Sequence, residues 1–127
     1  MDKKRVLVID DEEDYLKITK LNLEETNNYE VITLPSAKDI ISCIHSFRPD
    51  IILLDMLMSA VGGVEACEML NADQFGSRIP IIIVSALDKN ADRLKAYKVG
   101  VVDYISKPAG KDILIAKIEK ALSLKHK

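Results

Sequence analysis

The sequence is poor in several features that mark large classes of protein. Its 127 residues include no tryptophan, six aromatic side chains in all and only two cysteines. Cys43 and Cys67 fall in segments predicted to be helical and lack metal-ligand spacing, so we expect small core residues rather than a disulfide or a metal site. The apolar runs are only four or five residues long. They are too short for a transmembrane helix or a signal-peptide core, so we expect a cytoplasmic protein with no membrane contact.

The charge is also close to balanced. There are 18 basic and 20 acidic residues, which gives a formal net charge of −2. A nucleic-acid-binding domain normally carries a basic excess, so we expect no direct binding of nucleic acid. Hydrophobic residues make up 48% of the chain, which is enough for a core. The length suits one domain, and without a linker or repeat we predict that it fills residues 1–127.

Apolar and amphipathic segments alternate along the chain. The predicted strands are 5–10, 29–34, 51–55, 79–85 and 101–106, and the predicted helices are 12–27, 36–47, 63–74, 89–99 and 111–125. The run "IILLD" is typical of a strand buried on both faces, whereas "YEVITL" alternates as an edge strand does. Ser36 and Asp39 resemble a capping box, and Gly100 is a helix stop signal. This order predicts an α/β fold, a parallel sheet with helices on both faces.

Polar residues stand at the ends of four predicted strands. The first strand ends in Asp10 and Asp11, the third in Asp55 and the fourth in Ser85, and Lys107 follows the last. Singly, each could be a helix cap, a turn residue or a solvated side chain. Ligands of parallel sheets bind at the carboxyl ends of the strands, so we expect these groups to converge. Such a set suits Mg²⁺ and a phosphoryl group, with Asp55 as the nucleophile that forms an aspartyl phosphate.

The motifs around these residues resemble those of the receiver domains of two-component response regulators, the CheY-like domains. The matching stretches are "VLVIDDE", "PDIILLDM", "IPIIIVSA" and "GVVDYISKP", and they span nearly the whole chain. The resemblance implies a flavodoxin-like fold, a single doubly wound five-stranded parallel sheet in the order 2-1-3-4-5 with two helices on one face and three on the other. It implies a signalling phosphoacceptor rather than an enzyme, limited to self-catalysed phosphoryl transfer and slow autodephosphorylation.

The resemblance also implies a metal site. Asp55 would be the phosphoacceptor, and Asp10 and Asp11 would be the acidic pair that binds Mg²⁺. Asp11 would be a direct ligand, and Asp10 would act partly through water. Asp55 and the backbone carbonyl of Leu57 would complete the protein ligands.

The remaining implied roles concern the phosphoryl group and the switch. Ser85 would hydrogen-bond the phosphoryl group, and Lys107 would pair with its oxygens through a turn with a cis bond to Pro108. Tyr104 would be the aromatic switch residue that turns inward when Ser85 moves.

The chain departs from the family pattern at several positions. Ser59 stands where the family usually has proline, and Ala109 stands where it often has phenylalanine, which puts a standard dimer contact in doubt. Leu57 and Leu87 flank the site and offer no general base, so we expect them to exclude water and give a fairly long-lived phosphoaspartate.

The implied partners are proteins. The phosphoryl donor would be a sensor histidine kinase or a histidine phosphotransfer protein. The face formed by the fourth helix, fifth strand and fifth helix would then bind a downstream target. The chain is either a stand-alone receiver or the N-terminal domain of a longer regulator with an output domain, and either a monomer or a weak phosphorylation-dependent dimer.

Other functions fit the sequence less well. A haloacid-dehalogenase-type phosphatase needs an acid two residues after its nucleophile, where this chain has Leu57. A flavin or nucleotide binder needs a loop rich in Gly, Ser and Thr after the first strand, where this chain has the acidic "DDEEDY". The alternative that stays open is a pseudo-receiver, an interaction module not regulated by phosphorylation.

Overall fold

Five strands alternate with five helices in the computed structural model, which describes residues 2–58, 61–86 and 89–125. The strands are β1 (Lys4–Ile9), β2 (Tyr29–Leu34), β3 (Ile51–Leu54), β4 (Ile81–Ser85) and β5 (Asp103–Ser106). The helices are α1 (Glu13–Glu24), α2 (Ile40–Phe47), α3 (Gly63–Ala72), α4 (Asn90–Lys98) and α5 (Lys111–Lys125), and a short 3₁₀ helix spans Gly76–Arg78.

All strand pairs are parallel, and the sheet order is β2-β1-β3-β4-β5. β3 is central, and each of its residues is buried, as its unbroken apolar run predicts. β2 lies at an edge and begins with alternating buried and exposed residues. The predicted flavodoxin-like fold and strand order are therefore confirmed.

Successive residues of the sheet contribute to two separate cores. Ile52 and Leu54 of β3 pack with α2, α3 and α4, whereas Ile51 and Leu53 pack with α1 and α5. This alternation places three helices on one face and two on the other. Both cysteines are free thiols, and burial raises the pKa of Cys67 to about 12, which fits a core residue.

The start of the second helix differs from the prediction. α2 begins at Ile40, and no side chain caps it. Ser36 Oγ instead accepts a hydrogen bond from the backbone N–H of Lys38 at 3.2 Å. The predicted capping box is wrong because this local turn takes the serine oxygen before the helix begins. Gly100 follows α4 with φ +92°, as a stop signal does.

The apolar residues of α5 extend beyond the face of the helix that is buried. Leu114 and Ile118 are buried, whereas Ile113 and Leu124 are about half exposed. Within the described ranges, no helix is both long and apolar enough to cross a membrane.

Candidate functional site

Two buried carboxylates stand side by side at the carboxyl edge of the sheet. Asp10 follows β1 and Asp55 follows β3, and these strands are neighbours. The backbone N–H of Asp55 donates to the Ile9 carbonyl at 3.0 Å, which fixes the two chain segments together. Asp10 Oδ1 accepts from the Glu12 N–H at 2.9 Å, and Asp55 Oδ1 accepts from the Leu57 N–H at 3.0 Å. Each loop therefore holds one oxygen of its carboxylate.

The second oxygen of each carboxylate faces the ammonium of Lys107. Lys107 Nζ lies 2.6 Å from Asp10 Oδ2 and 3.3 Å from Asp55 Oδ2. It also lies 3.1 Å from Glu12 Oε1 and 4.2 Å from the centre of the Tyr15 ring. Only 10% of the lysine side chain is exposed, so its ion pairs with the two buried aspartates are poorly screened by solvent. The cation offsets two carboxylates that burial would otherwise disfavour.

Burial and pairing shift the pKa values of these groups. Burial raises the pKa of Asp10, and the hydrogen bond from Lys107 offsets only part of that effect. Burial alone would lower the pKa of Lys107, but hydrogen bonds to Asp10 and Glu12 and the field of Asp55 outweigh it and raise the pKa. Burial also raises the pKa of Tyr15. Lys107 is therefore a permanent cation near neutral pH.

Three carboxylates form a group that fits a divalent cation. Oxygens of Asp10, Asp11 and Asp55 all lie within 4.8 Å of one another. Asp11 is exposed, so its oxygens are open to an ion arriving from solvent. Hard carboxylate oxygens with room for water suit Mg²⁺, which is usually held by one or two carboxylates.

Ser85 and Tyr104 lie on the neighbouring strands β4 and β5, towards the carboxyl edge of the sheet. Ser85 ends β4 and is fully buried, and its carbonyl accepts the backbone N–H of Lys107 at 2.8 Å. Tyr104 is buried within β5. The guanidinium of Arg93, from α4, lies 5.1 Å from the Tyr104 ring centre and donates to Ser106 Oγ at 2.8 Å. Arg93 thus connects α4 to the strand that carries Tyr104.

The remaining predicted positions fall around the rim of the site. The Lys107–Pro108 bond is cis. The Leu57 side chain is 53% exposed beside the loop that holds Asp55. Ser59 and Leu87 lie outside the described residues, so the predictions that rest on them stay predictions. Ala109 packs at the edge of the core formed with α1 and α5.

Three residues of the site were not predicted. Glu12 contributes an ion pair to Lys107, and Tyr15 contributes a ring beneath its ammonium. Gly63 lies against the backbone of the loop that carries Asp55. Glu12 lies in the acidic run after β1, which was a usable signal. Tyr15 and Gly63 could be found only from the distances between elements.

The parallel sheet in this order, with three carboxylates and a lysine at its carboxyl edge, is the arrangement that the sequence motifs predicted. The sequence profile of the response regulator receiver domain matches residues 6–119. The chain belongs to this family and is a receiver domain of two-component signalling. Receiver domains are signalling domains, generally not enzymes, and interact with histidine kinases and downstream effectors.

Known proteins support the family at the level of sequence and fold. The chain is 31% identical over 105 residues to the alkaline phosphatase synthesis transcriptional regulatory protein PhoP of Bacillus subtilis. The match covers 83% of this chain and 42% of PhoP, so the chain spans less than half of that relative. A CheY-like receiver domain protein from Methanospirillum hungatei is 25% identical, with a TM-score of 0.89 and 98% of each chain covered.

A further solved structure shares the fold. The receiver domain of sensor histidine kinase PA1611 from Pseudomonas aeruginosa is 22% identical, with a TM-score of 0.87. The similarity covers 96% of this chain and 99% of that one. That structure has a magnesium ion coordinated in its active-site cleft.

Proposed function

We propose that residues 1–127 form one receiver domain that accepts a phosphoryl group on Asp55 and changes its contacts with a partner protein. The observation that carries the proposal is the contact of Lys107 with both Asp10 and Asp55 at the end of the sheet. A lysine and crowded carboxylates at one rigid edge are the components of phosphoryl transfer, which depends on positioning and charge neutralisation.

Asp55 is the nucleophile in this proposal. Its Oδ1 is held by the Leu57 N–H, while its Oδ2 faces Lys107 at 3.3 Å. A carboxylate oxygen forms a bond to phosphorus, and the bond from phosphorus to the donor's histidine nitrogen breaks with its electron pair staying on the histidine. Lys107 and the Ser85 hydroxyl then stabilise the phosphoryl oxygens.

Asp10, Asp11, Asp55 and the Leu57 carbonyl would hold the cation. When bound, Mg²⁺ would neutralise the charge that accumulates on the transferred group. The spacing of the three carboxylates supports this assignment. So does the family, and the PA1611 receiver has magnesium in its active-site cleft.

The signal leaves through α4, β5 and α5. A phosphoryl group adds charge and strong acceptors, which bias a two-state element. Ser85 and Tyr104 are that element, and Arg93 connects it to α4. α4 buries a single residue among Asn90–Lys98, which leaves it weakly held and free to shift. The exposed Leu94, Tyr97 and Ile113 supply apolar surface for a partner.

The donor is a sensor histidine kinase or a histidine phosphotransfer protein. The recipient of the signal is a downstream protein or an output domain like the remainder of PhoP, a transcriptional regulatory protein more than twice as long as the matched segment. The domain acts through protein contacts as a monomer or a weak phosphorylation-dependent dimer.

Intact-mass spectrometry after incubation with Mg²⁺ and acetyl phosphate tests the phosphoacceptor. We expect one phosphoryl adduct on the wild type, none on Asp55→Asn and none after chelation of the metal. Asp39→Asn is the control, because Asp39 is exposed and lies outside the group of three carboxylates. It should accept one phosphoryl group as the wild type does.

The opposite result would point to the pseudo-receiver. Folded wild-type protein that takes no phosphoryl group, even from a phosphorylated kinase, would overturn the proposal. An adduct that persists on Asp55→Asn would place the acceptor elsewhere.

A further inference from the structure

A basic groove lies at the amino-terminal edge of the sheet, opposite the acidic site. Arg48 precedes β3 and Arg78 precedes β4, each by three residues, and these strands are neighbours in the sheet. The two arginines therefore emerge next to each other. They line one groove of about 220 Å³ together with His45, Gln74 and Phe75.

The walls of this groove are fixed by specific contacts. Arg48 has a left-handed backbone (φ 56°), and its guanidinium lies 3.8 Å from the centre of the Phe75 ring. His45 Nε2 lies 2.9 Å from Asp73 Oδ1, which joins the end of α2 to the segment after α3. Stacking on Phe75 fixes the plane of the Arg48 guanidinium but uses none of its N–H donors. The donors at its edge are thus oriented in advance.

The two arginines of the groove lack acidic partners in the part of the chain that the structure describes. No carboxylate lines it. Across residues 2–58, 61–86 and 89–125, neither the Arg48 nor the Arg78 side chain makes a hydrogen bond or an ion pair. Arg5 differs, because its side chain donates to the Phe47 carbonyl and pairs with Glu30. The groove therefore carries two positive charges and no lining carboxylate.

Two acids beside the groove, Asp73 and Asp50, already make other contacts. Asp73 Oδ1 contacts His45, and its Oδ2 accepts the backbone N–H groups of Phe75 and Gly76 at 3.1 and 2.7 Å. Asp50, in the adjoining groove that Arg48 also borders, accepts the backbone N–H of Arg5. Neither Asp73 nor Asp50 therefore supplies an ion pair to the two arginines of the groove.

We propose that the groove of Arg48 and Arg78 is a second binding site, which takes a phosphate group separate from the phosphoryl chemistry at Asp55. Two planar guanidiniums supply forked donors that match phosphate oxygens, and their two permanent charges match a phosphate dianion better than a carboxylate. The Gln74 amide at the same wall can donate a further hydrogen bond. The phosphate can be free or carried by a small phosphate monoester.

Nuclear magnetic resonance titration of labelled protein with inorganic phosphate, in chelator and at constant ionic strength, tests the site. We expect saturable shifts of the backbone amides of residues 45–48 and 74–78. Arg48→Gln and Arg78→Gln should each weaken binding by about fivefold or more. Lys38→Gln removes the same charge at an exposed position outside the groove and should bind phosphate as the wild type does.

Titrations with acetate and with glycerol phosphate under the same conditions show whether the groove prefers free phosphate or a phosphate monoester. Acetate should bind more weakly than phosphate, and glycerol phosphate should bind better than inorganic phosphate if the natural ligand is a monoester. Shifts that never saturate, or that are unchanged in both arginine variants, would overturn the proposal. Arg48→Lys tests the role of the planar fork, because it keeps the charge and should still weaken binding.

The site stands independently of phosphorylation. Asp55→Asn should bind phosphate in this groove with unchanged affinity, because Asp55 lies at the opposite edge of the sheet. Loss of binding in Asp55→Asn would show that the shifts report the carboxyl edge instead.

Discussion

Gly63 shows how a single residue supports the site without contributing a functional group. It is buried at the first position of α3, and its N–H donates to the Met56 carbonyl at 3.1 Å. A Cβ at this position would lie 2.6 Å from Met56 Cα and 2.8 Å from the Asp55 carbonyl oxygen. Both are backbone atoms of the segment that holds Asp55, and backbone cannot give way as a flexible side chain can.

Gly63→Ala should therefore displace the Asp55 loop. We expect it to lower the free energy of unfolding by about 1–3 kcal/mol, typical of overpacking, and to slow phosphoryl uptake from acetyl phosphate. Gly62→Ala is the matched control, because a Cβ there meets nothing within 4 Å. Its free energy of unfolding should stay within about 1 kcal/mol of the wild-type value. Urea unfolding and the rate of adduct formation check both variants, and equal effects would refute the steric explanation.

The sequence predicts some residues of the site better than others. Asp10, Asp55 and Lys107 could be predicted because parallel strands bring their carboxyl ends to one edge, whatever the details of packing. Gly63 was predicted only as the first residue of a helix, since its role depends on a 2.6 Å approach between α3 and the end of β3. Such distances follow from packing and have no periodic signal in the sequence.

At the scale of elements, the turn between α3 and the 3₁₀ helix depends on one carboxylate. Asp73 accepts the backbone N–H groups of Phe75 and Gly76 and contacts His45 of α2. The hydrogen bond from His45 and the bond from the Gly76 N–H lower the pKa of Asp73 below its usual value of 3.8. The ionised form is therefore the form that stabilises this turn.

This lowered pKa predicts a pH dependence of stability. The contribution of Asp73 is present above pH 3.8 and is lost as the pH falls through the lower pKa of the folded state. Asp73→Asn should be less stable than the wild type at about pH 7, and the difference should shrink at about pH 3. Urea unfolding at both pH values measures it. Asp39→Asn, at an exposed position with no such bonds, should have the same pH dependence of stability as the wild type. A stability difference between Asp73→Asn and the wild type that grew in acid would contradict the role given to the ionised Asp73.

The same elements show where local patterns mislead. The helical spacing of Ile40, Ile44 and Phe47 along the sequence marks the face of α2 that is buried. Its start was wrong by four residues, because Ser36 bonds its own turn instead of a helix N–H. Periodicity reports which face is buried, whereas a helix end depends on competing hydrogen bonds of similar strength.

At the scale of the whole molecule, the parallel sheet separates charge between its two edges. The carboxyl edge carries Asp10, Asp11 and Asp55 with one compensating lysine, and the opposite edge carries Arg48 and Arg78. In the described part of the chain, Asp11 makes no hydrogen bond or ion pair. Without a cation, its charge adds repulsion to a site that is already acidic.

Binding of Mg²⁺ should therefore stabilise the whole fold. We expect the free energy of unfolding of the wild type to rise with Mg²⁺, by about 2.7 kcal/mol at a concentration 100 times the dissociation constant. Asp11→Asn should be at least as stable as the wild type in chelator, because it removes repulsion, and should gain far less from Mg²⁺. Asp14→Asn removes a nearby acid that is outside the carboxylate group and should keep the full response.

Urea unfolding with and without Mg²⁺ separates the two effects of Asp11. A stabilised metal-free variant that no longer responds to Mg²⁺ would mean that the acidic edge gives up fold stability to hold a cation. A variant with the wild-type response would remove Asp11 from the metal ligands and leave the cation to Asp10 and Asp55. In that case the exposed Asp11 would act on the site only through its long-range charge, and added salt would screen its effect.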